Sequence, residues 1–402
     1  MECLVDKLHV DDLDLTNKNV LMRVDFNVPL LHGQVETRRI RAAVPTIRHI
    51  LRQGARLVLI SHFDRPKGKV VPEMSLKPYV RHLSNMLRQQ VYFAEDCIGA
   101  KTRKAVSEVK GGEVILLENL RFHKEEEEND PEFAVQLAAY GDYYINDAFG
   151  AAHRAHASTV GVTKYINKCA AGFLMVKEVT WLGKIKNKPV QPLVAVLGGS
   201  KISGKIDVIE NLLDKVDKIL VGGGMAFTFL KAQGYDIGRS LLEPDRVEFA
   251  KNLLAVAGDK IILPKDCVVT DHFDLNKLEV GELQTVPISQ IPADLMGVDV
   301  GKQTLDEFYN VLKGAKTVFW NGPLGVFELD ETARGTYEMA EIMAEITEDN
   351  EALTIIGGGD SAAAVSRVGL REEMSFVSTG GGASLDLIGG KPLPGLDALT
   401  DR

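Results

Sequence analysis

Short apolar runs alternate with amphipathic stretches along the whole chain. The runs have the length of strands, and several are continuous rather than alternating, which is typical of parallel strands covered on both faces. The predicted strands are Val20–Val24, Leu57–Ser61, Val91–Phe93, Val114–Glu118, Tyr143–Asn146, Leu193–Leu197, Ile219–Val221, Lys260–Leu263, Thr317–Trp320, Leu353–Ile356 and Ser375–Ser378.

Helical periodicity fills the segments between these strands, for example at Ile40–Arg52, Leu76–Gln89, Ile206–Val216 and Arg334–Ile346. Alternating strands and helices predict parallel, doubly wound sheets, and this number of strands suits two sheets better than one. The fold class is therefore α/β, with two doubly wound, Rossmann-like domains.

A single mixed-charge helix is predicted at the boundary, where KEVTWLGKIKNK precedes Pro189 and Pro192. A helix that joins two α/β domains is a natural hinge. We predict an N-terminal domain at residues 1–172, a hinge helix at 173–188 and a C-terminal domain at 189–389. A break at Gly389–Pro392 precedes a short tail, residues 390–402.

Composition favours a soluble enzyme in a reducing compartment. The net charge of −9 argues against general nucleic-acid binding. No apolar run approaches the roughly 20 residues of a membrane helix, and Met1–Lys7 does not resemble a signal peptide. The four cysteines (Cys3, Cys97, Cys169, Cys267) have no metal-ligand spacing and are interpreted as buried or incidental thiols. We expect a cytoplasmic protein without a membrane partner.

The arginines are concentrated in the first 154 residues of this acidic chain, together with most histidines. Exposed arginines on amphipathic helices explain most of them. Four others follow predicted strands or lie in loops, namely Arg23, Arg65, Arg121 and Arg154. Guanidinium groups at such positions indicate a site for an anion.

Most predicted strands of the second half end in glycine, at GGS (198–200), GGG (222–224), NGP (321–323), GGGD (357–360) and TGGG (379–382). Parallel sheets bind ligands at the carboxyl ends of their strands. Glycine there lets the backbone approach phosphate, and the next helix offers free N–H groups. One such turn also serves tight connections, but several in one domain predict nucleotide binding.

The segment Gly199–Ile206 matches the first part of a phosphate-loop motif, but Ile206 lacks the hydroxyl that binds Mg²⁺. Lys201 and Lys205 are placed to share one face of a helix's first turn, or are solvated surface lysines. Asp360 could cap a helix or hold Mg²⁺ on a nucleotide. Glu328 could bind ribose hydroxyls or be an ordinary loop acid.

Read together, these motifs closely resemble the phosphoglycerate kinase family, in the family's order and at its spacing. The matching segments are RVDFNVP (23–29), RI (39–40), SHFDRPKG (61–68), ENLRFHKEEE (118–127), DAFGAAHRAHAS (147–158), GGSKISGKI (198–206), GGGMAFTFL (222–230), WNGPLGVFE (320–328), GGGDSAAAV (357–365) and STGGGASL (378–385).

The resemblance implies a monomer that transfers the acyl phosphate of 1,3-bisphosphoglycerate to MgADP, giving 3-phosphoglycerate and MgATP, with the C-terminal tail returning to the N-domain. The implied substrate residues are Asp25, Phe26, Asn27, Arg39, His62, Arg65, Arg121 and Arg154. The implied nucleotide residues are Lys205, Gly222, Gly223, Gly297, Glu328, Gly358, Gly359, Asp360 and Ser361, with Asp360 on Mg²⁺. Arg39 and Lys201 correspond to the family's residues nearest the transferred group.

The chain departs from the family pattern at four places: Phe63-Asp64 replaces the usual Leu-Gly, Gly204 an Asp, Ser361 a Thr, and Gly389 a Glu. None of these changes removes a ligand named above.

Two other functions fit glycine-rich turns after strands. A nicotinamide dehydrogenase would need GxGxxG and an acid about 20 residues later, and no cluster here has that spacing. A non-catalytic nucleotide-binding protein of this fold would be expected to lose Arg39, Lys201 or Asp360, and all three are present.

Overall fold

The computed structural model describes residues 6–27, 30–31, 34–35 and 37–402. Cys3 and the end of the first motif, Val28-Pro29, lie outside the described residues. The chain divides into two compact units, Met1–Thr180 with Pro392–Arg402, and Trp181–Lys391. Among the described residues, no helix combines the length and the apolar content that crossing a bilayer requires.

The first unit contains a sheet of six parallel strands in the order β5-β6-β4-β1-β7-β8, and a short antiparallel pair, β2-β3. Its strands are β1 (Asn19–Arg23), β2 (Leu30–Leu31), β3 (Gln34–Val35), β4 (Arg56–Ile60), β5 (Val91–Ala94), β6 (Val114–Leu117), β7 (Tyr143–Asn146) and β8 (Cys169–Ala171). Its α-helices are Arg38–Arg52, Lys77–Leu87, Gly99–Glu108, Lys124–Glu127, Pro131–Ala138 and Pro394–Asp397, and helix Phe173–Lys186 begins in it.

Local sequence explains these elements. The strands β4 and β6 are apolar runs with almost every residue buried, as parallel strands covered on both faces require. Helix Pro131–Ala138 begins where the Asp130 side chain accepts a hydrogen bond from the Phe133 N–H, with proline at the first helical position. The buried face of helix Arg38–Arg52 packs into the same hydrophobic core as β1 and β4.

The second unit contains a second sheet of six parallel strands, in the order β11-β10-β9-β17-β18-β19, and a three-stranded antiparallel sheet, β15-β12-β16. Its strands are β9 (Leu193–Leu197), β10 (Lys218–Val221), β11 (Ile261–Ile262), β12 (Asp266–Thr270), β13 (Phe273–Asp274), β14 (Glu279–Val280), β15 (Leu283–Pro287), β16 (Met296–Val300), β17 (Thr317–Asn321), β18 (Leu353–Gly357) and β19 (Phe376–Val377). Its α-helices are Ile206–Leu213, Met225–Ala232, Val247–Ala257, Lys302–Leu312, Arg334–Asp349, Gly359–Arg367 and Gly382–Ile388.

The strand orders decide where a ligand can bind. In the first sheet the chain passes from β1 to the strands on one side of it, and from the neighbouring β7 to the strand on the other side. In the second sheet the same change of direction lies between β9 and β17. Ligands of doubly wound sheets bind at such switch points, beyond the carboxyl ends of the strands. Asp25 follows β1, and the glycine turns at 198–199 and 322–323 follow β9 and β17.

The C-terminal segment Pro392–Arg402 belongs to the first unit. The Gly395 N–H donates to the Ala152 carbonyl at 2.8 Å, and the Asn146 amide donates to the Gly395 carbonyl at 2.9 Å. The Thr400 N–H donates to the carbonyl of Cys169 in β8 at 2.9 Å. These bonds hold the end of the chain against β7 and β8.

The predicted fold class, α/β with two doubly wound parallel sheets, is confirmed. The antiparallel sheet β15-β12-β16 and strand β8 were not predicted. Strand β15 is largely exposed and β8 has only three residues, so neither shows the continuous apolar run used for prediction. The hinge stays a prediction.

One local prediction is wrong. Lys201 and Lys205 do not share a helical turn, because the helix begins only at Ile206. Within the acidic run Glu125–Glu128, Glu126 is fully buried. Its carboxylate accepts hydrogen bonds from the Ser158 N–H at 2.9 Å and the Ser158 hydroxyl at 2.6 Å, which replace the water that it loses.

Candidate functional site

The first half-site lies at the carboxyl ends of β1, β4 and β6, where three loops exchange hydrogen bonds. Arg39 donates to the Asp25 carboxylate at 2.9 Å and to the Asn27 carbonyl at 3.0 Å. The Asn27 side-chain oxygen accepts from the Asp64 N–H at 2.9 Å, and Arg121 donates to the Asp64 carbonyl at 2.8 Å. The structure therefore brings Asp25, Asn27, Arg39 and Arg121 into one connected group.

His62 is surrounded by cations. Burial lowers its pKa well below 6.5, and the charges of Arg23, Arg121, Arg39 and Arg154 lower it further. Arg23 Nη2 lies 3.0 Å from His62 Nδ1, and a guanidinium can only donate. Nδ1 therefore accepts, and the proton of the neutral imidazole is on Nε2, where it can be donated to a ligand oxygen.

Arg121 is almost completely buried, with 3% of its side chain exposed to solvent. Burial lowers its pKa to about 10, and the positive charges of Arg154 and Arg23 act in the same direction. Its Nε lies 3.2 Å from the Glu127 carboxylate, but out of line for a hydrogen bond. Gathering so many guanidinium groups costs electrostatic free energy, which a bound polyanion would offset.

The remaining predicted substrate residues differ in exposure. Phe26 is fully buried in the core, and its N–H donates to the Ser61 hydroxyl at 2.9 Å. It therefore fixes the backbone between Asp25 and Asn27. Arg154 is half-buried and donates to His153 at 3.2 Å. Arg65 is exposed and makes no ion pair within the described part of the chain.

The second half-site is formed by two adjoining cavities of the second unit. The larger, about 420 Å³, is lined by Gly223, Gly297, Glu328 and Asp360 among the predicted residues. The smaller, about 340 Å³, is lined by Lys201, Lys205, Gly358, Gly359, Asp360 and Ser361. Gly222 lines neither cavity, and a Cβ atom there would lie 2.6 Å from Leu324.

Lys205 and Lys201 have different environments. Lys205 is buried, and burial lowers its pKa to about 8 although the charge of Asp360 opposes the shift. Its ammonium group donates to the Asn321 side-chain oxygen. Lys201 is exposed, and its charge helps to lower the pKa of Glu243. Lys205 is thus fixed at the cavity wall, whereas Lys201 is free to follow a ligand.

The turn that carries Asp360 is shaped for an anion. Gly358 has a φ of 91°, and a Cβ atom there would lie 2.8 Å from Asn321 Nδ2. This conformation and the close approach both require glycine. Helix Gly359–Arg367 begins at the turn, so its free N–H groups face the cavity end. The buried Ser361 hydroxyl accepts from the Gly322 N–H at 2.6 Å and ties this turn to the one after β17.

The chemistry of Asp360 fits a magnesium ion carried by a nucleotide. Its carboxylate is exposed, forms no ion pair in the described residues, and lines both cavities. Magnesium prefers oxygen ligands and usually binds through one or two carboxylates together with phosphate oxygens.

Sequence reasoning missed several residues of both half-sites. The position of Arg23 indicates an anion site but not its contact with His62, and no signal within WNGPLGVFE singles out Asn321 as the partner of Lys205. The apolar wall of the larger cavity comes from Phe227, Leu241, Phe273, Leu275 and Met296. These residues belong to different elements, and no local pattern joins them.

Comparison with known proteins agrees with this geometry. The family model "Phosphoglycerate kinase" matches residues 10–391. A phosphoglycerate kinase of Chloroherpeton thalassium is 52% identical over 399 residues, 98% of this chain and 99% of that protein. One from Gloeothece citriformis is 52% identical over 393 residues, 96% of this chain and 97% of that protein.

Solved structures agree as well. The phosphoglycerate kinase of Coxiella burnetii is 40% identical with a TM-score of 0.84, and that of Pyrococcus horikoshii is 33% identical with a TM-score of 0.86; each comparison covers 98% of both chains. The dehydrogenase alternative is therefore wrong. By sequence and by fold, the chain belongs to the phosphoglycerate kinase family.

Proposed function

We propose that the two half-sites act on one phosphoryl group, which passes directly and in line between 1,3-bisphosphoglycerate and MgADP. The family's reaction, EC 2.7.2.3, is a step of glycolysis. The observation that carries the proposal is the cluster of guanidinium groups around a neutral His62. Such a pocket suits a small, highly charged anion, and the cavities beside Lys205 suit a nucleotide.

The reaction needs no proton transfer. A β-phosphate oxygen of ADP attacks the phosphorus of the acyl phosphate, and the bond from phosphorus to the acyl oxygen breaks. The electron pair leaves on the carboxylate of 3-phosphoglycerate. Because the attacking and leaving oxygens are both ionised, no general base is required. This agrees with a site in which the imidazole is neutral and serves as a hydrogen-bond donor.

In this proposal the protein positions two anions and stabilises the negative charge of the phosphoryl group during transfer. Arg39 and Lys201 are assigned to that group, and the other predicted residues to its two carriers. Hydrogen-bond donors that are already oriented need little reorganisation when the phosphoryl group moves. Arg39 is oriented in this way by its hydrogen bonds to Asp25 and Asn27. A magnesium ion on the nucleotide, held at Asp360, would neutralise phosphate charge.

The test is a coupled assay of 1,3-bisphosphoglycerate formation from 3-phosphoglycerate and MgATP, comparing two arginine variants. Arg39→Ala should lower kcat at saturating substrate about 100-fold or more, because it removes a transition-state contact. Arg121→Ala should mainly raise KM for 3-phosphoglycerate.

A folded wild-type protein without activity would overturn the proposed function and leave a non-catalytic family member. If Arg39→Ala changed KM alone, its assignment to the moving group would be wrong.

We also propose a monomeric, cytoplasmic enzyme, as the resemblance implies. Its dispersed cysteines and acidic net charge support this. Light scattering on the purified protein and cell fractionation test the two points.

A further inference from the structure

A thiol, an imidazole and a carboxylate meet in the first unit and take no part in the reaction above. One ligand atom each from Asp96, Cys97 and His123 lies within 4.8 Å of the other two. We propose that these three side chains bind a thiophilic divalent cation, with Zn²⁺ as the best chemical match.

The backbone around the three residues is already ordered by hydrogen bonds. Asp96 and Cys97 follow β5, where the Cys97 N–H donates to the Asp96 carboxylate at 2.7 Å and the Thr102 hydroxyl donates to the Asp96 carbonyl at 3.2 Å. His123 follows the 3-10 turn Leu120–Phe122, and its ring packs 5.4 Å from the ring of Phe133. The ligands therefore come from two separately anchored loops.

An ion pair alone explains only two members of the cluster. His123 Nε2 lies 2.8 Å from Asp96 Oδ1, so these two side chains are partners of each other. The Cys97 thiol is fully buried and has no hydrogen-bond partner within the described residues. A bound cation would give the sulfur a partner and displace its proton.

Three protein ligands and one water form a ligand set that Zn²⁺ takes in proteins. Because the Asp96 side chain is 51% exposed, water can reach the fourth ligand position.

The ligand set selects the metal. Sulfur, imidazole nitrogen and one carboxylate oxygen are the donors that Zn²⁺ takes, at about 2.0–2.3 Å in a tetrahedron, whereas Mg²⁺ prefers oxygen alone. Tetrahedral binding at those lengths needs ligand atoms roughly 3.3–3.7 Å apart. The present separations, 2.8 Å for one pair and at most 4.8 Å for all, require only small side-chain rotations. Asp96 is 51% exposed, so an ion can enter from solvent.

The test is an anaerobic titration of the whole protein with Co²⁺ alone, followed by displacement with Zn²⁺. All samples carry Cys3→Ser and His9→Gln, because Cys3 lies outside the described residues and His9, Asp11 and Asp12 form a second, more exposed cluster. We expect one equivalent of Co²⁺ to produce a thiolate charge-transfer band and the visible bands of a tetrahedral ion. Zn²⁺ should remove both.

Three variants and a matched control decide the assignment. Cys97→Ser should abolish the charge-transfer band, and His123→Gln and Asp96→Asn should each weaken Co²⁺ binding at least tenfold. Cys169→Ser should change nothing, because this buried thiol already bonds to the Ile166 carbonyl at 3.1 Å. Circular dichroism checks that each variant is folded.

A band that persists in Cys97→Ser, or Co²⁺ binding without any thiolate band, would overturn the proposal. If Cys97→Ser does not fold, His123→Gln decides instead, and unchanged Co²⁺ affinity in that folded variant would contradict the site.

Discussion

At the residue scale, the two half-sites hold cations away from water, and this changes how they titrate. Lys205 is the clearest case, because burial lowers its pKa to about 8 while Asn321 holds its ammonium group. Arg121 is shifted in the same direction, to about 10. A bound phosphate would restore the charge that burial opposes, so ligand binding and protonation are coupled at these positions.

We predict that MgADP affinity falls as pH rises through the pKa of Lys205. The free protein loses the lysine charge above about pH 8, so binding the phosphate must then take up a proton. Between pH 7 and pH 9 the dissociation constant should rise about tenfold. Lys205→Arg should flatten this dependence, and Lys205→Met should lose about 2–5 kcal/mol of binding at pH 7. Calorimetry in two buffers of different ionisation enthalpy measures both affinity and proton uptake.

Lys201 provides the matched control. Because Lys201 is exposed, Lys201→Met should leave the MgADP affinity and its pH dependence nearly unchanged. The same variant should have a low kcat, because this lysine is assigned to the moving group. Equal wild-type affinity at pH 7 and pH 9 would contradict the role of Lys205. The opposite behaviour of the two variants would mean that the two lysines have exchanged roles.

At the element scale, a buried carboxylate holds the start of helix Phe173–Lys186. Asp147 follows β7 and is fully buried, and its Oδ1 accepts from the Met175 N–H at 3.0 Å. Its Oδ2 has no partner in the described residues. Burial raises the pKa of Asp147 to about 7, although hydrogen bonds from Thr46 and from the helix N–H groups oppose this.

Such a shift predicts a pH-dependent stability. The folded protein binds the Asp147 proton up to about pH 7, whereas the unfolded chain releases it near 3.8. The stabilising contribution is therefore complete below pH 3.8 and is lost as pH rises to about 7. Asp147→Asn keeps the shape without the charge, so it should gain stability relative to wild type, by up to about 4 kcal/mol between pH 4 and pH 8. Urea denaturation at a series of pH values, monitored by circular dichroism, measures this difference.

The second unit offers a parallel case. Asp299 is buried, and burial raises its pKa to about 7, so Asp299→Asn should behave in the same way. Asp11→Asn, at an exposed carboxylate, serves as the control. A stability difference between Asp147→Asn and wild type that does not vary with pH would show that the carboxyl titrates normally.

At the scale of the whole molecule, the reaction requires both half-sites to reach one phosphoryl group. The assigned glycerate ligands all precede residue 155, and the assigned nucleotide ligands all follow residue 200. Water must be excluded during transfer, because it would screen the arginines and hydrolyse the acyl phosphate. Products must also leave, so we propose opening and closing about helix Phe173–Lys186 on the timescale of turnover.

We predict that 3-phosphoglycerate and MgATP together favour a closed form more than either ligand alone, because each ligand would add interactions that only the closed form makes. Small-angle scattering should show a smaller radius of gyration in the ternary complex, and a partial change or none with a single ligand. An unchanged radius in a complex that remains active would contradict the hinge.

Much of this organisation could be predicted from sequence, because it depends on neighbours along the chain. Continuous apolar runs predicted most of the parallel strands, and glycine after most runs of the second half predicted the phosphate turns. Gly358, with its φ of 91°, shows the reason. The turn needs a residue without a side chain, and the glycine at this one position of the sequence reveals that need. The family motifs predicted site roles for Asp25, Arg39, Lys205 and Asp360 in the same way.

What the sequence by itself determined is therefore most of the parallel strands and the helices between them, the glycine turns of the second half and the family. Only the tertiary structure decided which of two similar lysines is buried and that Glu126 is buried. It also decided which nitrogen of His62 carries the proton, and that Cys97 lies close to His123. The physical reason is that desolvation and hydrogen bonding depend on atoms close in space and distant along the chain. Lys201 and Lys205 are four residues apart in one motif, and the burial of Lys205 and its hydrogen bond to Asn321 separate their chemistry.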